Sequence, residues 1–76
     1  MSDHRHLAYI VESIALVEQY VSGGRESFFS SRLIQDATLY RMQTIAESTQ
    51  RLSIELKARY PDVEWRRISA FRNVFV

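Results

Sequence analysis

SRLIQDATLYRMQTIAESTQRLSIELKAR, residues 31–59, runs without a single glycine or proline. Within it Ile34, Ala37, Thr38, Met42, Ile45, Thr49, Leu52 and Leu56 recur mostly at three- and four-residue steps, the period of one helix face. The spacing predicts one long helix, capped by Ser30 or Ser31 and reaching about Arg59, roughly 40 Å at 1.5 Å per residue. Tyr60-Pro61-Asp62 ends it, because the residue before a proline disfavours the α region. A helix of that length, with so few breakers around it, sets the fold class as all-α.

Toward the N-terminus a second helix is predicted, with Asp3 as its N-cap and its end near Val21. Leu7, Ile10, Val11, Ile14, Val17 and Val21 form its expected core face, and Ser22-Gly23-Gly24 closes it. Glycine adopts the backbone conformation of a helix end at low cost. Arg25 to Phe29 is read as too short for an element of its own, with Phe28 and Phe29 plugging the bundle end. Toward the C-terminus Asp62 is expected to cap a third helix starting near Val63, with Trp65, Ile68, Phe71 and Phe75 buried. Arg72 then falls at the edge of that apolar face.

The chain has 76 residues, 46% of them hydrophobic, with two glycines, one proline and no cysteine. That is enough for a single domain over 1–76, rich enough in apolar groups to fold, but with no disulfide or thiolate metal site to support it. No apolar run approaches the roughly 20 residues that span a bilayer. The N-terminus also lacks the basic and then apolar order of a signal peptide. A cytoplasmic location is therefore expected, with no membrane partner.

Net charge is +1, but it is unevenly spread. Residues 1–56 carry five basic against seven acidic groups, and residues 57–76 carry five against two, so a −2 segment precedes a +3 segment. Nine of the ten basic side chains are arginine, whose planar fork fits phosphate better than lysine's ammonium. Arg66 and Arg67 are candidate contacts to a phosphate-bearing partner, against the blander alternative of a solvated face. His4 and His6 stand two apart on the first helix and are expected to point opposite ways, so no metal site is predicted. No cofactor is predicted either. Trp65, Phe71 and Phe75 are read as packing residues rather than base-stacking platforms. Tyr9, Tyr20 and Tyr40 are read as structural. Glu47 is read equally as a partner for an arginine or as part of a solvated edge.

Three stretches carry a resemblance. Ile34-Gln35-Asp36-Ala37 and Ile45-Ala46-Glu47-Ser48-Thr49-Gln50-Arg51-Leu52-Ser53 are followed by Tyr60-Pro61-Asp62-Val63-Glu64-Trp65-Arg66-Arg67-Ile68. The last is Phe71-Arg72-Asn73-Val74-Phe75-Val76. Together they resemble the HepT-like ribonuclease toxins, of the HEPN class. Ala46, Ser48 and Ala70 replace residues that the family pattern has as Gly, Ala and Gly, all small for small.

The resemblance implies an antiparallel HEPN-type helical bundle, here three main helices with the C-terminal part missing, that forms a homodimer. It implies metal-independent endoribonuclease action within a type VII toxin–antitoxin pair. The partners implied are RNA and a minimal nucleotidyltransferase antitoxin, which modifies a motif tyrosine. Carried over by residue, Arg72 holds and polarises the scissile phosphate and Asn73 assists it. The family's histidine, the general acid or base, and the tyrosine after it would follow Val76 and are not in the sequence. On that reading the polypeptide as written is inactive, since losing such a group costs about 10²–10⁴-fold. Two alternatives stand beside it. One is a non-catalytic helical module that binds an antitoxin or a full-length homologue. The other is an unrelated helical adaptor. The apolar last residues read as a cut, and exposed apolar surface is expected to drive association.

Overall fold

A computed structural model of the chain describes residues 2–70 and residue 73. Among the described residues five helices follow one another: α1 (Asp3–Tyr20), α2 (Arg25–Ser30), α3 (Arg32–Gln50), α4 (Ile54–Arg59) and α5 (Trp65–Ala70). Among the described residues there is no strand, as the all-α expectation requires. No helix there is long and apolar enough to cross a membrane. Helix α3 is the axis on which the others pack: α1 lies antiparallel along it, α2 folds back at its start, and α5 rests on its flank.

The cap of α1 is Ser2, not Asp3. Its hydroxyl accepts the Arg5 N–H at 3.4 Å, and this frees the Asp3 carboxylate for a longer reach. Asp3 Oδ1 accepts the Ser53 N–H at 2.8 Å, and Oδ2 accepts the Ser53 hydroxyl proton. These bonds hold the Asp3 carboxyl below its ordinary value of 3.8, chiefly through the Ser53 hydroxyl and then its N–H.

The same contact explains why the long helix predicted over 31–59 is two helices. In a continuous helix the Ser53 N–H would bond the Thr49 carbonyl. Here it bonds Asp3 instead, and the chain turns at Arg51 and Leu52. Ser53 then caps α4, its hydroxyl accepting the Leu56 N–H at 3.1 Å. Thr44 and Thr49 hydroxyls bond back to the Arg41 and Ile45 carbonyls at 2.9 Å each, a habit that bends helices. At the other end of α3, Ser31 is the cap, as expected, accepting the Ile34 N–H at 3.1 Å.

Residues 25–30, expected to be irregular, form a single short helix. Gly24 makes this possible with φ of 91°, a conformation that side chains other than glycine rarely adopt. Gln35 Nε2 then donates to the Phe28 carbonyl at 2.9 Å and the Phe29 carbonyl at 3.2 Å, tying the end of α2 to α3. Only Phe28 turns inward. Phe29 is 65% exposed, set edge-on to Phe28 and covered by the Arg25 guanidinium at 5.3 Å from its ring centre. The expected pair of plugs is therefore one plug.

Helix α5 begins at Trp65, later than expected, and Asp62 lies exposed in the preceding turn rather than capping it. The Trp65 indole N–H explains the delay. It donates to the carbonyls of Lys57 and Tyr60, both at 3.1 Å, so it satisfies the open end of α4 across the turn. Gln50 Nε2 donates to the Ser69 carbonyl at 2.9 Å and fixes the end of α5 against the end of α3. Phe71, Arg72, Val74, Phe75 and Val76 lie outside the described residues, so the expected burial of Phe71 and Phe75 does too.

The core is thin and unusually polar. Among the described residues Ala46 and Leu52 are its buried apolar members, and His6, Ser13, Thr38, Ser48 and Thr49 are buried with them. Small side chains let α1 and α3 approach closely, and this sets the rotation of α1. His6 and Ser13 occupy the contact, whereas Leu7, Val11, Ile14 and Val21 of the expected core face are exposed. The Ser13 and Thr38 hydroxyl oxygens are buried without a hydrogen-bond partner, a costly arrangement of about 1–3 kcal/mol each.

Candidate RNA-contacting site

The basic residues chosen from sequence lie at the end of the chain that α5 presents. Trp65 and Ser69 anchor this helix at both ends, so Arg66 and Arg67 ride on a fixed segment. Both are exposed. Arg67 Nη1 meets Glu64 Oε2 at 3.1 Å, a solvent-exposed pair of the kind that adds little stability and exchanges readily. Its aliphatic stem lies over an apolar groove formed with Met42, Ile45, Ala46 and Ile68. Arg66 faces solvent beside it. Asn73 is exposed as well. Arg72 lies outside the described residues, so Arg66, Arg67 and Asn73 are the candidate site residues that the structure places.

A polar cavity lies near the same end of α3. It is open, about 600 Å³, and set between the first half of α1 and the second half of α3. Arg5, His6, Tyr9 and Glu12 line it from α1. Thr44, Glu47 and Ser48 line it from α3, with Arg51 at that helix's end. His4 also lines it, though it is exposed where His6 is buried at 5% exposure. His6, on the same helix, adds a smaller pull that helps keep the Asp3 carboxylate ionised.

Glu47 is half-buried on the cavity wall, accepting the Gln43 amide at 3.3 Å. Two guanidinium groups, two imidazoles and two carboxylates thus share one opening. The arginines can hold a phosphate, and an imidazole can move a proton near neutral pH. Among the described residues no group of three or more His, Cys, Asp or Glu side chains is placed to hold a metal ion.

Sequence reasoning passed over Arg51. The available signal was a polar ridge on each helix, Arg5 to Glu12 on one and Glu47 to Arg51, four apart, on the other. It also passed over Arg41, which donates to the Tyr9 hydroxyl at 3.3 Å. The Tyr20 hydroxyl, and then the Tyr9 side, hold the Arg41 guanidinium above its ordinary value. Tyr9 and Tyr20 are therefore structural through a shared arginine, and Tyr40, 60% exposed, lies under the same guanidinium at 5.8 Å. Trp65 is half-buried and spends its N–H inside the protein, consistent with packing rather than stacking on a base.

The family described as "Ribonuclease HepT-like" matches residues 10–76, a span that includes α5, Arg72 and Asn73. The chain is similar to a protein of Methanocaldococcus jannaschii named "Gamma-glutamylcyclotransferase and putative RNase", at 32% identity over 72 residues. That alignment covers 93% of this chain and 32% of the relative, so the chain spans about a third of the relative's length. No solved structure matches it.

Proposed function

The chain belongs to the HepT-like ribonuclease family, and from that membership we propose that it is the toxin-side subunit of a toxin–antitoxin pair, acting on RNA. In this reading Arg72 grips the scissile phosphate with its forked guanidinium, and Asn73 supports the same group. Metal-free cleavage needs charge stabilisation on the phosphoryl oxygens, and a bidentate guanidinium supplies it in the geometry phosphate prefers. Arg66 and Arg67, exposed on the helix immediately before, extend the basic surface along the RNA backbone. The observation that carries the proposal is the family match over residues 10–76, a span that takes in Arg72 and Asn73.

Proton transfer near neutral pH calls for a group such as an imidazole. The 76 residues hold two histidines, His4 and His6, both on α1, and to the stretch around Arg72 we assign the phosphate-holding part of the site. The partners are a second copy of the chain and a nucleotidyltransferase antitoxin, and the setting is the cytoplasm.

Binding of a fluorescent single-stranded RNA tests the reading. Arg72→Ala is expected to weaken binding and flatten its salt dependence by about one released counterion. Arg66→Ala with Arg67→Ala is expected to weaken it further. RNA affinity unchanged by all three substitutions, with the fold intact by circular dichroism, would refute the phosphate-binding assignment.

A further inference from the structure

The polar cavity between α1 and α3 holds side chains that the proposed function leaves unused. Its most buried polar residues are His6 and Ser48, 5% and 9% exposed, one from each helix. Neither side chain makes a hydrogen bond to another described residue. The Ser13 and Thr38 hydroxyls are sealed inside the helix contact, whereas His6 and Ser48 line the opening. A buried imidazole and hydroxyl at a cavity floor are costly unless water or a polar ligand meets them.

The charges along the opening are ordered. Asp3 bonds Ser53 and Tyr9 bonds Arg41, so the start of α1 lies against the end of α3. His4, Arg5 and His6 therefore gather at the same end as Arg51, and Glu12 lies toward the other with Thr44. Arg5 and Glu12 are seven residues apart, about 10 Å along the helix axis. The Arg5, Arg51 and Glu12 side chains make no ion pair or hydrogen bond among the described residues.

We propose that this cavity binds a sugar phosphate, a small phosphate monoester whose body carries hydroxyl groups. The phosphate sits at the cationic end, where Arg5 and Arg51 offer forked donors to its oxygens and His6 and Ser48 donate from the floor. The sugar lies toward Tyr9 and Glu12, whose carboxylate accepts hydroxyl protons. Two observations choose this class. At about 600 Å³ the cavity is far larger than a phosphate ion, so there is room for the group the phosphate is joined to. The Glu12 and Glu47 carboxylates on the wall repel a second phosphate, so a monophosphate is preferred to a diphosphate or to the interior of a polynucleotide. Of the RNA-contacting candidates that the structure places, Arg66, Arg67 and Asn73, none lines this cavity, and the inference does not rest on RNA cleavage.

An NMR titration of the chain with ribose 5-phosphate tests it. Binding is expected to be at least tenfold tighter than for ribose, and several-fold tighter than for inorganic phosphate. Arg51→Ala should weaken it about tenfold or more, as loss of a charge-assisted hydrogen bond does. Glu12→Gln should remove the preference for ribose 5-phosphate over inorganic phosphate while inorganic phosphate binds at least as well. Both residues are exposed, so the variants should keep the fold, checked by circular dichroism. Arg32→Ala, at the opposite end of α3, should change nothing.

A short RNA with a 5′-phosphate, set against the same RNA with a 5′-hydroxyl, separates two sources of this chemistry. Displacement by the phosphorylated form alone identifies an RNA end as the source, and no displacement by either identifies a free sugar phosphate. No shifts at millimolar ribose 5-phosphate would overturn the proposal. So would binding that is unchanged in both Arg51→Ala and Glu12→Gln, or ribose bound as tightly as its phosphate. None of these results bears on RNA binding by Arg72.

Discussion

Replacing Leu52 by alanine should nearly unfold the domain, while replacing Ile54 two residues later should hardly be felt. Leu52 sits in the turn that splits the predicted long helix, and Ile54 opens α4 just after it. Leu52 is 4% exposed and is one of two buried apolar side chains among the described residues, whereas Ile54 is 82% exposed. Truncating a buried leucine costs about 2–5 kcal/mol, the spread reflecting how far the site collapses around the cavity. Leu52 sits in a short turn rather than mid-helix, and such a site can partly close, so about 3 kcal/mol is the expected loss. For a domain of this length each kcal/mol moves Tm by about 4–8 °C, which gives a fall of about 12–24 °C for Leu52→Ala. Ile54→Ala should stay within about 0.5 kcal/mol. Thermal and urea unfolding followed by circular dichroism at the helical band would measure both. Equal losses at the two positions would refute the placement of Leu52 inside and Ile54 outside on which the reasoning rests.

Three further outcomes follow from the hydrogen bonds. The Asp3 carboxyl is held below its ordinary value when folded, so its contribution is complete above about pH 4 and disappears as pH falls through the lowered value. Asp3→Asn should therefore lower stability at pH 7 and leave a shallower decline between neutral and acid pH, measured as Tm against pH. Trp65→Phe keeps the ring but removes the indole N–H from two carbonyls, and should cost about 1–2 kcal/mol by urea unfolding, with faster amide exchange in α4 and α5. Gly24→Ala forces an ordinary side chain into φ of 91° and should cost about 1–3 kcal/mol. A neutral result there would mean the α1–α2 turn takes another conformation.

Much of the fold is legible in the helical period, but the facing of the helices is not. Residues 3–20 and 32–50 read as helices from apolar spacing alone, and serine at Ser31 marked a true start. What periodicity missed was which side of α1 meets α3. Its apolar stripe of Leu7, Val11 and Ile14 is the stronger hydrophobic signal, yet the small and polar side of Ser13 wins the contact, because close approach of two backbones requires small residues there. The break at Ser53 was equally hidden. It depends on Asp3, fifty residues away in sequence, taking a backbone N–H that the helix would otherwise use, and no local window contains both partners. Likewise Arg51 and His6 meet in one cavity only after α1 and α3 are laid antiparallel. The Arg66–Arg67 pair and Asn73, by contrast, were visible as arginine and amide clustered at one end of the chain, and the structure leaves all three exposed.

The most direct test of the phosphate-holding assignment is cleavage of a labelled RNA by the chain in excess EDTA, with and without added imidazole. Imidazole supplies an external proton-transfer group, while the guanidinium stays in place. The account predicts slow cleavage without imidazole, a rise that saturates as imidazole increases, and loss of that rise in Arg72→Ala. Cleavage that increases identically in the chain, in Arg72→Ala and in buffer alone would contradict it.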